Sequence, residues 1–164
     1  MTEKDKHRRL AAFMLGDTYC MTLTSNLNAV TESLTSFRII PGTKPFFSGN
    51  ARLGRDLVSY FHLPTFLGLK RSDESSNPDL PRDFILRDPL SSSMIGLQTD
   101  GVVGFIPVVE LSDADPSDLN IPASLSPFCT GAVSYQSRLW ALITLDYILR
   151  DANFRSVELP VQRP

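Results

Sequence analysis

The sequence predicts a mainly β protein made of paired small barrels, and three observations predict it. One stretch occurs twice: residues 45–67, PFFSGNARLGRDLVSYFHLPTFL, return without a gap 82 positions later as residues 127–149, PFCTGAVSYQSRLWALITLDYIL. Six of the 23 paired positions are identical (Pro45/Pro127, Phe46/Phe128, Gly49/Gly131, Leu57/Leu139, Leu63/Leu145 and Leu67/Leu149), where random pairing would give roughly one or two. Short β-compatible apolar runs alternate with Gly and Pro turn signals along most of the chain. Helical periodicity is confined to short pieces, whereas a doubly wound sheet would need longer crossover helices. The 82-residue shift is half of the 164-residue chain, which points to two related halves.

Taken in order, residues 1–9 form a polar leader. Leu10–Leu15 and Thr18–Leu23 flank Gly16-Asp17, a two-residue turn signal, and predict a hairpin. Ser25 or Asn26 is placed to cap a short helix through Leu34, with Leu27, Val30 and Leu34 at spacings of three and four. Phe37–Ile40 is strand-like and stops at Pro41-Gly42. In the first repeat, Gly49 opens a strand to Leu53, Gly54-Arg55 turns, and Asp56–Phe61 returns. Pro64 then starts a helix through Leu67, since proline suits a first helical position.

The connection 70–81, KRSDESSNPDLP, is polar and loop-like. Phe84–Arg87 and Met94–Thr99 predict strands. Asp100-Gly101 is a hairpin signal before the apolar run Val102–Leu111, in which Pro107 marks an edge or a bulge. In the second repeat, Gly131–Tyr135, the turn Gln136-Ser137 and Arg138–Leu145 repeat the pattern. A helix follows from Asp146 to about Arg150. The domain is expected over 10–150 as two interleaved subdomains, with 151–164 as a tail that is frayed or strapped to the surface.

Composition narrows the function. With 42% hydrophobic and 21% charged residues the chain can bury a core. A net charge of −2 argues against nucleic acid as a partner, because phosphate binding wants a concentrated basic surface. The basic residues near the start are interleaved with Glu3 and Asp5. No apolar run approaches the roughly 20 residues that span a bilayer, and Leu10–Leu15 is too brief for a signal-peptide core. The expected location is cytoplasmic, without membrane insertion.

Catalytic groups are scarce. His7 sits in the charged leader, and His62 ends an apolar strand. The sequence has no nucleophile elbow, phosphate loop, zinc spacing or dinucleotide glycine pattern. Cys20 and Cys129 lie far apart among apolar residues and suit buried packing. Asp113, Asp115 and Asp118 have a carboxylate density that calcium would want, but Pro116 interrupts the loop and the closing glutamate is missing. No catalytic residue, cofactor or metal is expected.

Several local spellings resemble the CheW family of chemotaxis coupling proteins. They are Val30-x-Glu32-x-Leu34, then Pro41-Gly42-x-x-Pro45, then Gly49-x-Ala51 before an apolar strand. Further on come Gly96-Leu97-x-x-Asp100-x-Val102-x-Gly104 and Phe128-x-x-Gly131 through Leu145-Asp146. Pro41-Gly42-x-Lys44-Pro45 and Leu139-Trp140-Ala141-Leu142 are most similar to the PilI branch, which serves type IV pilus twitching systems. The resemblance implies two SH3-like five-stranded β-barrels related by a pseudo-twofold. It also implies a non-enzymatic adaptor between the cytoplasmic tip of a methyl-accepting chemoreceptor and a CheA-type histidine kinase.

The family spells Asn-apolar-Arg-Gly in the first repeat, where this chain has Arg52-Leu53-Gly54-Arg55 just after Asn50. The order of arginine and glycine is inverted, with Ser59 and His62 in place of the family's proline and aspartate. The resemblance therefore places the protein-binding role on Glu32, Asn50, Arg52, Leu53, Gly54 and Arg55. Arginine suits such a hub because its guanidinium grips carboxylates or carbonyls through two donors. Phe46, Phe47 and Trp140 are either apolar anchors for a partner or core residues. Two alternatives stay open: a small hydrolase or transferase using His62 with Asp56 or Asp146, and a diverged structural subunit or competitor in a receptor array.

Overall fold

The computed structural model describes residues 8–70 and 82–158; His7, most of the polar connection and the last six residues lie outside them. In chain order the strands are β1 (Arg9–Leu15), β2 (Thr18–Leu23), β3 (Ala29–Glu32), β4 (Phe47–Leu53), β5 (Asp56–His62), β6 (Arg82–Arg87), β7 (Met94–Gln98), β8 (Gly101–Pro107), β9 (Ser112–Asp113), β10 (Cys129–Tyr135) and β11 (Arg138–Ile143). Three short helices join them: α1 (Leu63–Leu67), α2 (Leu145–Arg150) and α3 (Ala152–Arg155).

Two sheets result, one ordered β8-β1-β2-β11-β10-β9 and the other β3-β6-β7-β5-β4. Each joins a hairpin of one half to a hairpin of the other through a single parallel pair. In the six-stranded sheet β2 runs parallel to β11, and in the five-stranded sheet β7 runs parallel to β5. The sixth strand, β9, has two residues on the edge of β10. The two copies of the repeat carry matching pieces, since β4 and β10 span seven residues each, 82 positions apart. Both have a register shift at the same place, between Phe47 and Gly49 and between Cys129 and Gly131.

Both repeat hairpins close on two-residue turns. Gly54 supplies a positive φ of 63° at the first turn, and Gln136 and Ser137 both adopt positive φ at the second, 49° and 61°. A left-handed first residue suits one primed turn type, and two in a row suit the other.

Because side chains alternate across a strand, each sheet has two buried faces. Ala11, Phe13, Cys20, Ile143, Phe61, Phe84 and Leu97 face a core shared by both sheets. Leu10, Ala12, Met21 and Trp140 form a second cluster on the far side of the six-stranded sheet, and Val58, Tyr60 and Ile85 a third on the far side of the five-stranded one. Phe154 on α3 closes the shared core at 1% exposure, its ring 4.5 Å from Phe61 and 5.4 Å from Phe66. Burial of that ring stabilises the fold by about 2–3 kcal/mol. The stretch 151–158 is therefore packed, and it is pinned again where Thr43 pairs with Glu158.

Three expectations are corrected. No helix runs from Ser25 to Leu34. A single 3-10 turn at Thr24–Asn26 leads into β3, which pairs with β6. Val30 packs on the shared core and Leu34 on the third cluster, so the helical spacing of these residues does not place them on one face. Phe37–Ile40 contributes only one bridge, Arg38 with Asn50, to the edge of β4. Asp100-Gly101 does not turn a hairpin, because β8 leaves its neighbour and pairs with β1. Asp100 instead fastens the β1–β2 turn, its carboxylate accepting from Gly16 N and its own N–H donating to Met14 O at 2.9 Å. Pro107 ends β8, which is an edge strand as expected.

Candidate functional site

The β4–β5 hairpin gathers five of the six residues expected to bind partners. Asn50 lies mid-strand on β4, and its Oδ1 accepts from Ser59 Oγ across the pair at 3.0 Å. Arg52 is opposite Leu57, and Leu53 opposite Asp56 across the Gly54-Arg55 turn. Both arginines are exposed, and among the described residues neither guanidinium has an ion-pair partner. Glu32 is apart from this group. It ends β3, opposite Arg82, at the other edge of the five-stranded sheet.

Why the hairpin stands free follows from local chemistry. Gly49 has a φ of 130°, and a Cβ there would sit 2.5 Å from Arg38 O. The absence of that Cβ lets Arg38 pair with Asn50 through N···O contacts of 2.7 and 3.0 Å, which covers the base of the β4 edge. Beyond the bridge, no described residue pairs with the edge up to the tip. Leu57 is 63% exposed beside Arg52, and Ile39, next to the bridging Arg38, is 77% exposed. Both apolar contributors escaped the sequence reading. Leu57-Val58 is an apolar pair in which only register says which residue faces out, and Ile39 lies in a run that the sequence assigns to a strand.

The segment 33–38 links Glu32 to the hairpin as a strap across the far face of the five-stranded sheet. Asp83, with no exposed surface, accepts from Ser33 Oγ at 2.9 Å and Leu34 N at 3.2 Å. Burial raises its pKa above the usual carboxylate value, and the bonds from Ser33 and Leu34 oppose that rise. Phe37 lies against Tyr60 with ring centroids 5.1 Å apart.

The enzyme alternative finds no supporting geometry. His62 caps α1, its Nδ1 2.7 Å from Thr65 Oγ1 and accepting from Thr65 N at 3.3 Å. Burial lowers its pKa, against the pull of Asp100 and Asp83. Asp56 begins the strand that His62 ends, about 20 Å away along an extended chain. Asp146 pairs with Arg150 at 2.8 Å. Neither aspartate is placed to orient the imidazole.

The other candidates also have structural roles. Asp115 caps a 3-10 turn through Ser117 N at 2.9 Å, and Asp113 lies in β9. Among the described residues no cluster of His, Cys, Asp and Glu is placed to hold a metal. Cys20 is fully buried, and burial pushes its thiol pKa far up. Phe46 and Trp140 are core, at 8% and 5% exposure, and Phe47 packs against the shared core. No described helix is long and apolar enough to cross a membrane.

Two sheets that exchange hairpins, with an exposed arginine-bearing tip, define a β domain built from two intertwined halves. The CheW-like domain model matches residues 9–153, and the chain belongs to that family. Among solved structures it is similar to the scaffolding protein TtCheW from Thermoanaerobacter tengcongensis, with a TM-score of 0.66 and 19% identity over 91% of this chain and 96% of that one. No curated protein matches it.

Proposed function

We propose that this chain is a non-catalytic adaptor that couples a methyl-accepting chemoreceptor's cytoplasmic tip to a CheA-type histidine kinase, with the β4–β5 tip as a contact surface. One observation carries the proposal. Two exposed arginines, Arg52 opposite the exposed Leu57 and Arg55 in the turn, lie on a hairpin whose base is covered and whose tip, among the described residues, is not. A cation pair beside an apolar side chain suits a modest, exchangeable signalling interface. The family supports the coupling role, and the relative of known structure is itself a scaffolding protein. The inverted order, Gly54 before Arg55, keeps a guanidinium at the turn while moving it by one position. Asn50 meets Ser59 across the strand pair beneath the tip, its Oδ1 accepting from Ser59 Oγ.

The Pro41-Gly42-x-Lys44-Pro45 spelling supports a finer assignment, to the PilI-like branch and a type IV pilus system acting in the cytoplasm. The test is titration of the full chain with the kinase's regulatory domain, alongside Arg52→Glu and Arg55→Glu. A coupler binds in the micromolar range, and each reversal weakens binding at least tenfold without changing the melting temperature. No binding on the order of 100 μM protein, with a folded control, overturns the proposal. An inert filler of a receptor array would leave kinase control unchanged in both variants.

A further inference from the structure

Two hydroxyls of the five-stranded sheet, Tyr60 Oη and Thr31 Oγ1, are buried with no hydrogen-bond partner among the described residues. Strand register brings both toward one buried carboxylate. Thr31 is paired with Asp83 across β3 and β6, and such cross-strand partners share a face with Cβ atoms roughly 4.5–5.5 Å apart. Val30 packs on the shared core, so alternation puts Thr31 and Asp83 on the opposite face, the one that holds Ile85 and Tyr60. Tyr60 starts two strands away, on β5. Its ring lies on Gly96 of β7, where a Cβ would meet Cδ1 and Cε1 at 2.5 Å. Because β7 lies between β5 and β6, the missing Cβ lets the ring cross β7 with its hydroxyl toward β6.

Asp83 has acceptor capacity to spare. It has no exposed surface, and each of its oxygens takes one bond from the strap, Oδ1 from Ser33 Oγ and Oδ2 from Leu34 N. An ionised carboxylate offers about four acceptor sites, which leaves about two unused. Burial, and after it the charge of Asp83, raise the Tyr60 pKa, so the phenol keeps its proton as a donor.

We propose that Tyr60, Thr31 and Asp83 bind a single buried water beneath the strap. The two hydroxyls donate into its lone pairs, and it donates to the unused side of the carboxylate. About three hydrogen bonds is the ordinary complement of an internal water, and two interior hydroxyls without partners are costly enough to retain one. The water joins three elements that are distant in sequence. They are β5, which returns from the β4–β5 tip, β3, which ends at Glu32, and, through Asp83 on β6, the strap that links Glu32 to the hairpin. The site is distinct from the tip and does not depend on what the tip binds.

A high-resolution crystal structure of the full chain tests the site directly. A water oxygen is expected at roughly 2.5–3.0 Å from Tyr60 Oη, Thr31 Oγ1 and an oxygen of Asp83. An empty site, direct contact of either hydroxyl with Asp83, or Tyr60 Oη turned to solvent overturns the proposal, and this wild-type structure decides even if a variant fails to fold. Tyr60→Phe adds a test by sign. With the water bound, the variant loses a satisfied hydrogen bond, so the folding equilibrium in urea titration should fall about tenfold and the Leu34 amide should exchange faster. In a dry site the same change deletes an unpaired hydroxyl, and unchanged or higher stability would overturn the proposal. Tyr60→Phe and Thr31→Val act on one water, so their combined loss should be smaller than the sum of the two, and simple additivity would also overturn it. Because no kinase or receptor enters these measurements, their failure leaves the coupling proposal standing, and the reverse holds.

Discussion

Arg155 on the last helix grips Asp88 at two points, Nη1 to Oδ1 and Nη2 to Oδ2, each 3.0 Å. The same carboxylate accepts from Leu90 N at 2.9 Å and Ser91 Oγ at 2.7 Å, and Arg155 also reaches Leu149 O at 3.0 Å. The β6–β7 turn is thereby tied to the chain end that carries Phe154 into the core. Burial raises the Asp88 pKa, but the bonds from Arg155, Leu90 and Ser91 outweigh it and leave the group at about 2. A depressed carboxyl stabilises the fold above its unfolded pKa of about 3.9, and that stability is lost as pH falls toward 2. Asp88→Asn is expected to lose about 2 kcal/mol at pH 7 and to lower the melting temperature by about 4–8 °C. The deficit should shrink below pH 4. A melting temperature within a degree of wild type at pH 7 would remove the clamp from the account.

Gly49 and Gly131 are identical in the repeat but differ in what they permit. Gly49→Ala places a Cβ 2.5 Å from Arg38 O at a φ of 130°, and should cost about 2–4 kcal/mol. At Gly131 the nearest obstacle is Leu142 Cδ1 at 3.2 Å, the end of a movable side chain. Gly131→Ala should cost less than about 1 kcal/mol. Urea unfolding of the two variants compares them directly, and equal losses would contradict the strain assigned to Gly49.

The second hairpin turn holds Gln136 and Ser137 in left-handed conformations that neither side chain favours. Replacing the pair by Asn-Gly, which this turn type prefers, should add about 1 kcal/mol and raise the melting temperature by about 2–4 °C. A lowered melting temperature would show that the turn is held by contacts other than its own backbone.

The two thiols should react at different rates with a disulfide reagent. Cys20 has no exposed surface and a thiol pushed up by burial, whereas Cys129 is half-buried at the start of β10. Cys129 should be modified first in the native protein, with Cys20 following only at the rate of opening. Equal native rates would refute the burial of β2.

Much of this architecture was readable in advance where local chemistry and tertiary demand agree. The repeat hairpins follow from Gly54-Arg55, Gln136-Ser137 and strand-length apolar runs. Pro64 marked α1, and Pro107 an edge strand. The failures lie where distant pairing decides. Leu27, Val30 and Leu34 have helical spacing, yet Val30 and Thr31 are β-branched and β6 offers an unpaired edge, so the segment becomes β3. Asp100-Gly101 has hairpin composition, but β8 is claimed by β1. At the candidate site, the residues Asn50–Arg55 came from their spelling. The outward face of Leu57 and the exposure of Ile39 depend on register, which is not written locally.

Because each sheet takes one hairpin from either half, a chain severed between β5 and β6 would yield two fragments with incomplete edges and no independent core. Such fragments should be unstructured alone and regain the fold only when mixed. Inheritance works under the same restriction: a change in one copy of the repeat is felt in a sheet partly built by the other, so the copies can diverge only in step.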